Sequence, residues 1–372
     1  MNEIQLKVAE LRKVKGVTQM QLADYLGVSF QSISKWENGI SLPDITLLPK
    51  IAEYFKVSVD YLLGIENSCD SMYKPRNTNV SSHWNEKIEY LKSTREELWN
   101  DDYFKFLVQY VWELDAPCKI IDFGCGYGYI GLKLLPLLPS GSTYTGIDIS
   151  NELIDEAREI FNDTSYTVEF KQVDVSDFSG NGIYDVAICQ ALLRHIPNPK
   201  EVLNNMISSV RKDGLVICIE TNRPFEALGT MVNGLSYEPL NEIKSYSKLW
   251  NSELQNEGRD FSVGLKLPLL MSDLGLTNID IRLNDKVSFL NRNQDDFDNK
   301  LERLKVSRGW LETDKTSNER NEEMLKNRGL DDDEIQLFDN VRNRTRDFIL
   351  ENQKDLSMTY LNGTLITFGK KI

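Results

Sequence analysis

From Cys118 onward the chain alternates between short apolar runs and amphipathic helical stretches, and this alternation constrains the fold more than any other feature. KIIDFGCGYGYIGLKLLPLL reads as a buried strand, a glycine-rich turn and a helix. STYTGIDIS is a strand ending in an acid, NELIDEAREIF an amphipathic helix, and VEFKQVDVSDF another strand ending in an acid. YDVAICQALLRHI runs from a strand into a loop and helix, and GLVICIET is a further strand. Strands that alternate with helices pair in parallel, so the segment predicts a doubly wound sheet with its ligand beyond the carboxyl ends of the strands.

The glycines fall at Gly124, Gly126 and Gly128, a GxGxG spacing. Tyr129 stands where the third glycine of a dinucleotide fingerprint would be. Asp122 precedes the first glycine by two residues; Asp148 ends the second strand 26 residues later, and Asp174 the third after another 26. Acids at three successive strand tips suit a ligand that offers hydrogen-bond donors and a positive charge, and they would repel a pyrophosphate.

On these residues, and on CQALLRHIPNP after the fourth strand, residues 85–290 resemble the class I S-adenosylmethionine-dependent methyltransferases. The resemblance implies that Gly124, Cys125, Gly126 and Gly128 let the methionine portion lie against the backbone, with Asp122 supporting the loop or the methionine ammonium. It implies Asp148 and Ile149 at the ribose, Asp174 and Val175 at the adenine, and Gln190 near the sulfonium and its methyl. A base is needed only if the acceptor arrives protonated. His195, after the fourth strand, is one candidate base, with packing or capping as its other reading, and Glu220 at the end of the fifth strand is a second; His83 reads as solvated in a linker. The (Asp/Asn)-Pro-Pro-(Tyr/Phe) motif of DNA amino-methylation is missing, and Cys189, preceded by Ala187 and Ile188, reads as a buried strand residue. The expected acceptor is therefore a small molecule.

The N-terminal segment follows other rules. Thr18 caps a short helix stopped by Gly27, and Ser29 caps a second stopped by Gly39, a helix-turn-helix pattern. The run TQMQLADYLGVSFQSISKWENGISLPDITLLPKIAEYFKVSVDYLLG resembles the phage-repressor (Xre-type) family along nearly its whole length. That resemblance implies a recognition helix in the major groove, with Ser29, Phe30, Gln31, Ser32 and Lys35 facing bases or nearby phosphates and Gln19 and Asn38 on phosphates. Trp36 reads as packing. Residues 1–64 carry 7 basic and 7 acidic side chains, so phosphate neutralisation rests on Lys13, Lys15, Lys35 and Lys50. The other reading of the segment is a module of the same shape used for protein contact.

The whole chain, 372 residues with a net charge of −14, cannot be a nucleic-acid glove, and any DNA contact must come from a local patch. Its five cysteines are odd in number and lack CxxC spacing, which argues for reduced thiols in a cytoplasm and against a disulfide framework or a zinc site. No metal ligand set is expected. No run approaches the roughly 20 apolar residues of a membrane span.

The expected architecture is α/β: a helical helix-turn-helix domain over 1–65, a polar linker over 66–84, and a Rossmann-like methyltransferase domain over 85–372. Asn85 to Leu114 reads as a long helix with an aromatic face of Trp99, Tyr103, Phe106, Tyr110 and Trp112. Residues 276–290 read as a sixth strand and 360–372 as a seventh, completing a seven-stranded sheet with an antiparallel last pair. Residues 291–358 read as a charged helical insertion, either a solvated surface pair or a lid or dimer element, in which Asp331–Glu334 opens a helix. The expected protein is a methyltransferase and DNA-binding regulator, a homodimer reading two half-sites. The alternatives are a regulator that only senses S-adenosylmethionine and a nucleic-acid methyltransferase.

Overall fold

In the computed structural model the described residues are 6–55, 59–63, 91, 95, 98–237, 244–308, 310 and 322–372. The expected linker and His83 lie outside them. The chain forms two compact units, Met1–Lys74 and Pro75–Ile372.

The first unit is helical: α1 (Val8–Lys15), α2 (Gln19–Leu26), α3 (Phe30–Glu37), α4 (Leu48–Phe55) and α5 (Val59–Leu62). Thr18 closes a capping box, accepting from the Gln21 amide while the Gln21 side chain accepts from the Thr18 amide, so the start of α2 is fixed on both sides. Gly27 then turns the chain at φ +71°, a left-handed conformation that costs a side chain about 1 kcal/mol. Val8, Leu22, Ile33, Trp36, Ile51 and Leu62 bury their apolar surface between the helices.

Among the described residues the second unit has ten strands: β1 (Lys119–Phe123), β2 (Thr143–Asp148), β3 (Thr167–Gln172), β4 (Tyr184–Gln190), β5 (Val210–Thr221), β6 (Thr230–Val232), β7 (Thr277–Leu283), β8 (Val287–Asn291), β9 (Ser357–Leu361) and β10 (Thr364–Lys370). Seven form one sheet in the order β3-β2-β1-β4-β5-β10-β7. The first five are mutually parallel, and β10 runs antiparallel to both β5 and β7. Apolar side chains alternate to its two faces; Ile120, Ile188 and Ile217 join one core, and Ile121, Ala187 and Cys218 the other. This burial on both faces explains why the strands read as continuous apolar runs.

Three expectations change. Residues 276–290 are two strands rather than one: β7 stays in the main sheet, and β8 leaves it to form a three-stranded sheet, β6-β9-β8. The break falls at buried Asn284, whose amide side chain donates to the Leu98 carbonyl at 2.7 Å. Residues 360–372 divide likewise at Gly363 (φ +65°), where a Cβ would meet the Glu226 amide nitrogen at 2.9 Å. Of the helix expected over 85–114, the described residues 98–100 are not helical, Asp101–Phe106 form a helix, and this widens to a π-turn at Leu107–Val111. The interruption and the wide turn divide the aromatics. Trp99 and Trp112 are buried around Phe104, whereas Tyr103, Phe106 and Tyr110 stack outside with centroids 6.1 and 5.8 Å apart. The insertion keeps its helices, Phe297–Ser307 and Asp332–Glu351, and the latter begins in a capping box between Asp331 and Glu334.

Candidate functional site

A cavity of about 260 Å³ opens at the carboxyl ends of β1, β2 and β4. The sheet delivers its polar walls. The chain leaving β1 bends through three glycines at φ +67°, +55° and +83°, with the Gly124 and Cys125 amides tied to the Ile147 carbonyl at 2.8 and 3.0 Å. A Cβ at Gly124 would lie 2.8 Å from Leu192, and one at Gly128 2.8 Å from Phe161. At Gly126 a Cβ meets no atom within 4 Å and would fill the cavity itself, so this glycine keeps a backbone surface open.

Asp122, Asp148 and Asp174 all line this space, as do Gly124, Cys125, Gly126, Ile149, Val175, Gln190 and His195. Gly128 and Glu220 are not among the lining residues. Asp148 Oδ2 accepts from the Gly126 amide and Oδ1 from Ser150, each at 2.9 Å, leaving lone pairs on both oxygens. Burial pushes its carboxyl up, while those amides hold it down. Asp174 lies two residues past the end of β3 and accepts from the Ser176 amide at 2.9 Å.

Asp122 is fully enclosed. Burial, followed by the charge of Asp148, pushes its carboxyl up to about 7, against the pull of the Tyr144 hydroxyl that donates to Oδ2 at 2.5 Å. Its Oδ1 is buried without a protein partner. Such an orphan in a cavity wall is a place for a ligand donor. The sequence reading missed Tyr144, which looks like an ordinary apolar strand residue.

Gln190 ends β4, and its Oε1 accepts from the Trp99 indole at 3.2 Å. Ala191 follows at φ +55°, an uncommon conformation for a residue with a Cβ and one that concentrates at functional sites. Glu220 is fully buried behind the next turn, and its Oε1 accepts from the Leu192 and Leu193 amides at 2.9 and 2.6 Å. Its Oε2 is buried without a protein partner, and burial pushes the carboxyl up. His195 does reach the cavity, but Arg194 donates to its Nε2 at 3.1 Å and Arg259 stands 3.2 Å from Nδ1. Burial, with the charges of Arg194, Arg259, Arg95 and Arg223, holds the imidazole well below its ordinary range, which makes it a weak proton acceptor.

In the first unit, α3 presents Phe30, Gln31 and Lys35 to solvent, with Ser29 accepting from the Ser32 amide at the helix start. Trp36 points into the core. Gln19 and Asn38 are already engaged: the Gln19 amide donates to Glu37 at 2.6 Å, beside the Arg12–Glu37 ion pair, and that of Asn38 donates to the Ser34 carbonyl at 2.8 Å. Lys15 lies over the Tyr54 ring at 3.8 Å and Lys50 over Tyr25 at 5.5 Å.

The cavity's residues fit S-adenosylmethionine. An acid with open lone pairs stands where a vicinal diol is expected, a lining carboxylate, Asp122, keeps one oxygen without a protein partner, and a glycine holds room for the methionine chain.

Comparison with known proteins finds a match to two families along the chain. Residues 8–62 match the helix-turn-helix family and residues 114–260 the methyltransferase domain family. A ubiquinone biosynthesis O-methyltransferase of Actinobacillus pleuropneumoniae is 27% identical over 125 residues, 32% of this chain and 52% of that protein. Its counterpart in Rickettsia canadensis is 28% identical over 156 residues, 41% of this chain and 64% of that protein. The chain spans about half the length of the first of these relatives. Among solved structures, a phosphoethanolamine N-methyltransferase of Haemonchus contortus superposes with a TM-score of 0.43 at 12% identity, over 80% of this chain and 61% of that one.

Proposed function

With a helix-turn-helix domain and a methyltransferase domain in one chain, we propose that the protein methylates a small molecule from S-adenosylmethionine and docks on DNA through its first domain as a regulator. The observation that carries the first half is the single cavity in which three strand-end acids, a glycine bend and Gln190 converge.

When bound, S-adenosylmethionine supplies an electrophilic methyl, whose bond to sulfur breaks with its electron pair leaving on sulfur as the acceptor's lone pair forms the new bond. The chain's own residues bind and align. Asp148, its carboxylate plane fixed by the Gly126 and Ser150 amides, would offer one oxygen to each hydroxyl of a ribose. Asp122 would hold the methionine end, and Asp174 with the Val175 backbone would meet the adenine edge. Gln190, steadied by Trp99, borders the place where the methyl is transferred. Glu220 is a positioning residue: it holds Leu192 and Leu193, and through them the turn that carries His195. Aligning two reactants in a dry site supplies several kcal/mol of such a barrier. No proton acceptor of ordinary basicity is needed if the acceptor enters already deprotonated, which suits the neutral His195.

On the DNA side, exposed Gln31 and Lys35 on α3 are the proposed readers, and a homodimer would match two half-sites. Calorimetry with S-adenosylhomocysteine, followed by turnover of methyl-labelled cofactor against a metabolite panel, tests the enzyme. Binding without turnover on any acceptor would return the protein to a sensor of the cofactor, and label in nucleic acid would overturn the small-molecule acceptor.

A further inference from the structure

Gln190 is the last residue of β4 and lines the cavity, although it is only 8% exposed. Its Oε1 accepts from the Trp99 indole at 3.2 Å. An indole N–H only donates, so this bond fixes which end of the amide is oxygen. The remaining Nε2 has no hydrogen-bond partner among the described residues, and it is not enclosed as the unpartnered Asp122 Oδ1 is. A buried amide therefore keeps an accessible, unpaired donor at the cavity wall.

Trp99 is itself tied down. Its ring meets Phe104 edge-on, with centroids 4.8 Å apart. The Leu98 carbonyl before it accepts from the Asn284 amide at 2.7 Å. Asn100 after it donates to Asp285 and accepts from Lys286, each at 3.1 Å. Both flanks of the indole are thus anchored on the turn between β7 and β8.

Strand register brings Gln190 close to Asp122. Asp122 pairs with Ile188 on the adjacent parallel strand, and Gln190 follows Ile188 by two residues, on the same face of the sheet. One strand across and two residues along put the two Cα atoms about 8 Å apart. A carboxylate that accepts and an amide that donates thus line one cavity from one face. Such a pair suits a zwitterion, because an α-amino acid carries its ammonium and carboxylate on a single carbon.

We infer that Gln190 receives the carboxylate of the cofactor's amino-acid end through Nε2, and that Trp99 is the positioning residue that turns the amide that way. The inference rests on the proposed S-adenosylmethionine reading, in which Asp122 holds the same end, and deepens it. An amide bond to a carboxylate is charge-assisted, about twice as strong as a neutral one. Reversing the amide would set its carbonyl against the carboxylate, and the Trp99 bond opposes that reversal. Sulfur lies a short carbon chain from this head group, so Gln190 still borders the methyl.

The test uses the full chain with S-adenosylhomocysteine and with S-adenosyl-3-thiopropylamine, the same molecule without its carboxylate. Gln190→Glu keeps an oxygen for Trp99; it binds S-adenosylhomocysteine at least about tenfold more weakly, and the thiopropylamine as well as wild type or better. In Gln190→Met a loss of about tenfold is confined to S-adenosylhomocysteine. Trp99→Phe weakens S-adenosylhomocysteine by about threefold alone and changes nothing further in Gln190→Met. Thiopropylamine affinity reports an intact site in each variant. Equal losses for both ligands, unchanged S-adenosylhomocysteine affinity in the Gln190 variants, or a carboxylate-specific loss in Arg95→Gln alone overturns the assignment. A Trp99→Phe loss that persists in Gln190→Met overturns the role of Trp99. If wild type binds neither ligand, the methyltransferase reading fails and takes the inference with it; binding of both with indifferent Gln190 variants sinks the inference alone.

Discussion

Tyr144 donates its hydroxyl to Asp122 Oδ2 at 2.5 Å across two neighbouring parallel strands, and Oδ1 stays buried without a protein partner. One strand thus presets the acid that the next strand delivers. Because Asp122 is pushed up to about 7 from an ordinary 3.8, the folded chain holds a proton that the unfolded chain has released over that interval. Its contribution to stability is therefore full below about pH 4 and is lost as pH rises through 7. The difference in unfolding free energy between wild type and Asp122→Asn should shift toward the variant across this window and level off above it. A difference that stays flat in denaturant titrations from pH 4 to 8 would contradict the raised carboxyl.

His195 gives the opposite slope. Its folded value lies well below the ordinary 6.5, so the unfolded state takes up the proton first and the stabilisation is lost as pH falls below 6.5. Replacing His195 with Gln should leave stability more constant on acidification than in wild type. The comparison is made variant against wild type, because Asp122 and His195 titrate in overlapping intervals and partly cancel in the wild-type curve.

Asp148→Ala should weaken S-adenosylhomocysteine binding by roughly 100-fold, the combined effect of two charge-assisted hydrogen bonds. Asp148→Asn, which retains one accepting oxygen, should fall between the variant and wild type. Isothermal calorimetry checks the order; equal affinity in all three proteins would remove Asp148 from the ribose.

DNA affinity should depend weakly on salt. Lys15 and Lys50 are laid over tyrosine rings, which leaves exposed Lys35 among the principal phosphate neutralisers. Lys35→Ala should reduce the slope of log K against log salt by about 1, while Gln31→Ala should alter sequence preference and leave the slope unchanged. Fluorescence anisotropy on a selected operator measures both.

Local patterns carried some of these features well. The helix starts at Thr18 and Asp331 follow from residue type, and the structure closes each in a capping box. The acids at strand tips were legible because a parallel sheet places the ends of consecutive strands along one edge. The surroundings of Glu220 were not legible in the same way: its position near the end of β5 follows from the strand, but the Leu192 and Leu193 amides that bind its Oε1 lie 28 and 27 residues away in sequence. The aromatic face of 99–112 failed because a break and a π-turn rotate successive side chains away from the 3.6-residue period.

Taken alone, the order of residues determined two domains, the strand–helix alternation, the glycine bend and the line of acids, because each is written in short-range spacing. Only the tertiary structure decided that Tyr144 would reach Asp122, that 276–290 would divide between two sheets, and that Arg95, Arg194, Arg223 and Arg259 would gather around one histidine. Those outcomes depend on which distant segments become neighbours. Coulomb and desolvation energies follow distance and burial in space, which no periodicity along the chain records.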